Sequence, residues 1–266
     1  MKKIFFEAKP NWSETFFWEK LPYLDVGVGL RSPDLLKYKE TPRTKFNIPS
    51  HMSVMLLTTM EDKKLDKLDI IEYVNLIKTI QPDLFTTIEI PIYDGDSGKL
   101  LILSKRDYLD QLQILSNNFD KKRIIVLISG RTRKESLAEI SIAYKFGFRK
   151  FGLTCADSMQ RNQSKCRAQI RRDLSIIKKF QDTESYIFGL TSPRNLEEFS
   201  GADFLVTKGW YYAAWKRKEK LSRTKNLKDK IYPFFETNNQ TCLIKNGIEK
   251  INIDLWNKKR HDNFRK

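Results

Sequence analysis

The chain's 266 residues, 40% hydrophobic and 12% aromatic with 11 Gly and 9 Pro, can bury one large core, a composition that excludes wholesale disorder and collagen-like repeats. Its 49 Lys/Arg outnumber its 33 Asp/Glu for a formal charge of +16, which draws polyanions toward the surface. No segment approaches the roughly 20 apolar residues of a membrane span, so a soluble, cytoplasmic protein with no membrane partner is expected.

The opening Met1-Lys2-Lys3-Ile4-Phe5-Phe6 resembles the start of a signal peptide, but Glu7 and Lys9 interrupt it before an apolar region forms. It reads as a first strand over 3–8. Short runs rich in Ile, Val, Phe and Tyr recur at 23–29, 53–58, 84–92, 123–129, 149–154, 185–190 and 203–207, each of strand length. Between them helical spacing predicts helices at 13–20, 33–38, 66–80, 105–117, 133–146, 164–180 and 193–200, with another at 210–221 after the last strand. Asp66 and Pro82 bound one of these helices. Thr132 is placed to cap the one that begins at Arg133, Glu135 lies at its positive end, and Gly147 stands where a helix C′ residue belongs. Eight strands alternating with helices predict an α/β fold, a (β/α)8 TIM-like barrel over residues 1–221; an open doubly wound sheet is the other arrangement this pattern permits. Beyond 221 come a Lys-rich stretch, an aromatic cluster at 232–235 and a strand-like piece at 241–244, so 222–266 is read as a basic C-terminal extension.

The basicity is concentrated in two places. Residues 208–266 hold 16 Lys/Arg against 6 Asp/Glu, a net of +10, and residues 159–182 hold 7 against 2, a net of +5. On the 164–180 helix, Lys165, Arg167, Arg171 and Arg172 are spaced to follow a phosphate backbone. Lys216, Arg217, Lys218 and Lys220 adjoin Trp210, Tyr211, Tyr212 and Trp215, a mix that suits base stacking beside phosphate neutralisation, although Tyr211 and Trp215 at i, i+4 also suit core packing. These eight basic residues are the expected nucleic-acid contacts. Cys155, Cys166 and Cys242 form no CxxC pair, which fits free thiols in a reducing compartment.

In a parallel barrel the site lies at the C-terminal ends of the strands. The polar residues there are Glu7, Asp25, Thr58, Glu89, Asp94, Ser129, Thr154, Asp157, Thr191, Asp203 and Thr207. Carboxylates predominate, and neither His51 nor His261 has a partner at metal spacing, so no zinc site, nucleophilic triad or cofactor is expected. Carboxylates at a barrel mouth suit glycosidic-bond chemistry, where one attacks or stabilises an anomeric carbon while another moves a proton. They also suit a guanine-like base, whose ring N–H and exocyclic amine both donate. The Asp94-Gly95-Asp96-Ser97-Gly98 run is first of all turn chemistry; with Glu89 it also leaves open a Mg²⁺-dependent phosphoesterase.

The order of these segments resembles the barrel of the tRNA-guanine transglycosylase superfamily, including its DNA-acting 7-deazaguanine branch. The similarity covers roughly residues 81–215. Gln81-Pro82-Asp83-Leu84-Phe85-Thr86-Thr87-Ile88-Glu89 is similar to the family strand ending in a base-contacting acid. Val126-Leu127-Ile128-Ser129-Gly130 and Gly147-Phe148-Arg149-Lys150-Phe151-Gly152-Leu153 resemble its "VQG" and "GYAIGGL" strands, and Tyr186-Ile187-Phe188-Gly189-Leu190 with Pro193 its "YLMGVG-P" segment. Gly201-Ala202-Asp203-Phe204-Leu205-Val206-Thr207 falls where the family has "GVDxxDS", and Leu24-Asp25-Val26-Gly27 is set against "DSGG". The resemblance implies exchange of a guanine-type base in tRNA or DNA, with Glu89, Ser129, Gly130 and Gly152 binding the base. It also implies departures. The family nucleophile is matched by Val206, its glutamine by Ser129, and its CxCxxC-plus-His zinc site is absent. Either Asp203 or Asp25 then carries the catalysis, or the chain is a degenerate paralogue that binds tRNA or DNA beside an active partner chain or in a homodimer.

Overall fold

The computed structural model describes residues 3–10, 16–58, 68–89, 98–154, 163–190, 198–199 and 201–207, without the side chains of Lys3, Lys20, 98–105, Gln163, Lys165 and Leu190. Its strands are β1 (Lys3–Ala8), β2 (Gly27–Arg31), β3 (Val54–Leu57), β4 (Leu84–Thr86), β5 (Ile124–Ile128), β6 (Lys150–Leu153), β7 (Glu184–Leu190) and β8 (Phe204–Thr207). Each pairs in parallel with the next, and β8 returns to β1, so the eight close into a barrel in chain order. The helices are α1 (Phe17–Lys20), α2 (Ser32–Leu35), α3 (Pro42–Lys45), α4 (Ile70–Ile80), α5 (Gly98–Asn118), α6 (Arg133–Lys145) and α7 (Gln163–Ile177). The expected α/β barrel is thus the observed one. The expected helices at 193–200 and 210–221, and the 222–266 extension, fall largely or wholly outside the described residues. No helix among the described residues is long and apolar enough to cross a membrane.

Strands covered on both faces read as continuous apolar runs, and all five residues of β5 are buried. Alternate residues nevertheless serve different cores. Ile4, Phe6, Val28, Leu30, Leu56, Phe85, Val126, Phe151 and Leu205 belong to the cluster between sheet and helices. Phe5, Met55, Leu57, Ile125, Leu127, Tyr186, Phe188 and Val206 fill the lumen. Helix ends follow the chemistry: Thr132 and Glu135 form a reciprocal capping box on α6, and Gly147 follows that helix at φ +93°. At α4 the cap is Asp69, which accepts from Ile71 and Glu72, rather than the expected Asp66.

Two boundaries move expected catalytic residues. The second strand runs over Gly27–Arg31 instead of 23–29, which leaves Asp25 exposed just before the strand. Asp203 likewise precedes β8. Both therefore lie at the N-terminal rim of the barrel, opposite the mouth. Asp203 ties β8 to β7 there: its Oδ2 accepts from the Ser185 amide at 2.8 Å and hydroxyl at 2.7 Å, and its own amide donates to Ser185 Oγ at 3.1 Å. Replacing a carboxylate with two such bonds costs about 1–2 kcal/mol. Asp203→Ala is expected to lower the unfolding free energy by that amount, read as a fall in the urea midpoint, and a wild-type midpoint would deny it this strand-joining role.

Candidate functional site at the barrel mouth

Glu7 follows Phe5 on the inward face of β1, and Arg31 follows the inward Gly27 and Gly29 at the end of β2. They meet at the mouth. Arg31 Nε and Nη2 donate to Glu7 Oε2 at 3.3 and 3.1 Å, with Glu7 7% and Arg31 21% exposed. Two charges taken this far from water persist only when paired and hydrogen-bonded. Sequence reading placed Glu7 among the strand-end polar residues but missed Arg31. The signal available was parity, since Gly27, Gly29 and Arg31 share one face once the strand is carried past its glycines.

On the next two strands, hydroxyls organise the exits. Thr58 Oγ1 lies 3.0 Å from Thr86 Oγ1, donates to the Thr87 carbonyl at 2.6 Å and accepts from the Glu89 amide at 3.2 Å. Gln111, from α5, accepts from the Ile88 amide at 2.9 Å, and the Tyr73 hydroxyl donates to the Thr86 carbonyl at 2.7 Å. The backbone leading into Glu89, three residues beyond β4, is thereby held in place. Burial pushes the Tyr73 hydroxyl above the ordinary tyrosine range, so it stays a donor.

The β5 exit is clamped by acids. Ser129 and Gly130 amides donate to Glu139 Oε2 at 2.9 and 3.1 Å, and Arg131 and Thr132 amides to Glu135 Oε2 at 2.9 and 3.1 Å. Arg172 closes the other side, reaching the Gly130 carbonyl at 3.0 Å, the Arg131 carbonyl at 2.8 Å and Asp173 at 2.7 Å. Gly130 is thus a packing position. A Cβ there would stand 2.4 Å from the Ser136 amide nitrogen. Gly152 faces the lumen, but its Cβ position is taken by Leu127 at 2.6 Å and Phe188 at 2.7 Å, so a ligand would meet those side chains first. Ser129 follows Leu127 in the alternation of β5 and is half-buried, and Thr154 follows Gly152 on β6.

Burial pushes the Glu139 carboxyl up to about 7, against the pull of its two backbone donors and with help from Asp173 and Glu135. Because the folded value exceeds the ordinary one, the native state holds this proton more tightly than the unfolded chain. The associated stability is full below about pH 4.5 and is lost as pH rises through 7. Between pH 5 and 8 the wild type should lose about 2–3 kcal/mol that Glu139→Gln does not, measured by urea unfolding at both pH values. Asp173, also raised by burial, leaves the variant a residual slope of the same sign. Equal slopes in the two proteins would reject the assignment.

Of the eight expected nucleic-acid residues, the three whose side chains are described make contacts within the barrel. Arg171 Nη1 bonds Glu198 at 2.9 Å and Arg167 Nε lies 3.6 Å from the same carboxylate, while Arg172 belongs to the β5 clamp. These three do not form an open phosphate track. The side chain of Lys165, and Lys216, Arg217, Lys218 and Lys220 entirely, lie outside the described residues, as do Asp94, Asp96 and Asp157. Among the described residues no group of three or more His, Cys, Asp or Glu is placed to hold a metal. At the opposite end of the lumen Lys150 pairs with Glu184, to which the Tyr186 hydroxyl also donates at 2.7 Å.

Beneath the mouth, Leu57, Leu127, Phe188 and Val206 close the lumen. Val206, which the resemblance sets against the family nucleophile, is fully buried and registered against Phe5. Glu7 and Arg31 meet at the mouth, Glu89 and Ser129 follow β4 and β5 on the same rim, and Asp25 and Asp203 lie at the opposite one. Compared with known proteins, the chain matches no protein-family model and no curated sequence.

Proposed function

We propose that the chain engages a guanine-type base of tRNA or DNA at the barrel mouth, as a transglycosylase-like barrel of 7-deazaguanine modification that binds the base without exchanging it. The observation that carries this is the composition of the mouth. Polar groups at the strand ends suit the edges of a planar heterocycle, above a luminal layer of Leu57, Leu127, Phe188 and Val206 that is closed to water. Glu89 is the base acceptor, on a backbone pinned by Thr58 and Gln111, and Ser129 follows β5, the next strand of the barrel. The nucleophile position meanwhile holds an aliphatic side chain. The net +10 carried by residues 208–266 favours a polyanionic carrier of the base, and a catalytic partner chain or second copy would supply what the mouth lacks.

A second reading, exchange with Glu7 as the acid at C1′, is favoured by one observation. Glu7 lies two residues beyond Phe5, the partner of Val206, and so one inward step nearer the mouth than the family nucleophile. Labelled guanine and a labelled 7-deazaguanine precursor, incubated with the protein and bulk tRNA or DNA, separate the two. Binding readable by calorimetry, weakened at least about 10-fold in Glu89→Gln and without polymer-retained label, supports the binding barrel. Retained label that disappears in Glu7→Gln replaces it with exchange, and guanine binding indifferent to Glu89→Gln rejects the base site.

A further inference from the structure

The Arg31 guanidinium uses only one edge within the described residues. Nε and Nη2 both point to a single oxygen of Glu7, and Nη1 has no hydrogen-bond partner among the described residues. A guanidinium carries five N–H donors in a planar fork, and its Nη1/Nη2 end is the edge that meets phosphate in a two-point contact. Glu7 occupies the side edge instead and fixes the fork's plane. The backbone is fixed as well: Arg31 closes β2 and is at the same time the residue from which α2 starts, with Ser32 bonded to the Leu57 carbonyl. Below it Gly27 and Gly29 contribute no side chains, so the guanidinium is the one group that β2 presents to the mouth.

We infer that Arg31, buttressed by Glu7, is a phosphate anchor, and that the mouth takes up a guanine-type base together with its phosphate, as a nucleotide unit held more tightly than the base alone. The inference rests on the proposed base site and adds the group that joins the base to its polymer. Recognition is shape-dependent, because a side-on carboxylate and an end-on phosphate share one planar cation. The net charge of +16 offsets the repulsion that Glu7 alone would impose on an incoming anion.

The test compares calorimetric affinities of the full chain for guanosine, guanosine monophosphate and inorganic phosphate. Wild type is expected to favour the monophosphate over guanosine by at least about 10-fold, with inorganic phosphate competing only against the monophosphate. In Arg31→Gln that ratio falls to near one. Because Arg31→Gln removes the Arg31 charge from beside Glu7 and can fold poorly, Arg31→Lys is read beside it: it keeps a charge next to Glu7 but loses the fork, and its ratio falls most of the way. Equal wild-type affinity for guanosine and its monophosphate, or a ratio preserved in both variants, overturns the anchor and leaves the base site standing. A monophosphate bound through Arg31 with guanosine unbound and inert as a competitor overturns the base site alone, and binding of neither overturns both.

Discussion

Val206→Asp is expected to unfold the barrel and not to restore an exchange reaction. The substitution would put a carboxylate where the resemblance expects the family's nucleophile, so an active product is the naive expectation. Val206 is 0% exposed in a luminal cluster with Phe5, Tyr186 and Phe188, and the one hydroxyl in that cluster, on Tyr186, already donates to Glu184. An ionised carboxylate there has neither water nor a cation. Such a group costs about 4 kcal/mol or more, a large part of the roughly 5–15 kcal/mol that keeps a domain folded. Val206→Thr, of nearly the same shape, buries only a hydroxyl and should cost about 1–3 kcal/mol. Urea midpoints for the two variants at pH 7 measure the difference. If Val206→Asp keeps the wild-type midpoint, water reaches this layer, and the mouth is deeper than the packing implies.

This burial also explains where sequence reading succeeded. All eight strands were legible because a parallel barrel buries both faces of each strand, so Ile124–Ile128 or Val54–Leu57 are apolar without interruption. The α6 boundary was legible because Thr132, Glu135 and Gly147 are local signals that tertiary contacts did not override. The limits of β2 were not. Tyr23 and Leu24 look like strand residues, yet Tyr23 is 69% exposed, and Gly27 and Gly29 look like a turn. They are strand residues because the Phe5 ring fills the space of a Gly27 side chain, with Phe5 Cδ1 2.1 Å from where its Cβ would be. Only the partner strand reveals that. Ending the strand at Gly29 hid Arg31 and moved Asp25 to the wrong end of the barrel.

The internal partners of the basic helix were illegible for a related reason. Spacing along α7 puts Arg167 and Arg171 a turn apart, which fits a phosphate track equally well as a shared internal acid. Glu198, 27 residues beyond Arg171 in sequence, decides between them, and no local pattern announces it. Arg172 is further removed still, its guanidinium spread over carbonyls of the β5 exit more than 40 residues earlier. Charge counted along a chain sets the field at long range, but the individual arginines go where unpaired carbonyls and carboxylates need them.

Gly130→Val should be as damaging as the charge in the lumen, through geometry alone. Gly130 has no left-handed φ, so the strain is one of space: a Cβ would meet Ser136 N at 2.4 Å and Glu135 C and Ser136 Cα at 2.8 Å. All three are backbone atoms of α6, and no side-chain rotation relieves them. The helix would have to withdraw from β5, which pulls Glu139 from the Ser129 and Gly130 amides and breaks the hydrogen bonds that the Gly130 carbonyl accepts from Ser136, Gln169 and Arg172. Overpacking ordinarily costs about 1–3 kcal/mol. Because the buried Glu139 carboxylate also gives up its amide donors, Gly130→Val is expected to cost about 4 kcal/mol or more and Gly130→Ala about 3. The base-binding role implied by the family resemblance gives a different result, a stable protein with weakened ligand affinity. Denaturation midpoints and guanosine affinity measured on Gly130→Ala therefore separate the two, and a variant with wild-type stability and lost affinity would return Gly130 to the ligand site.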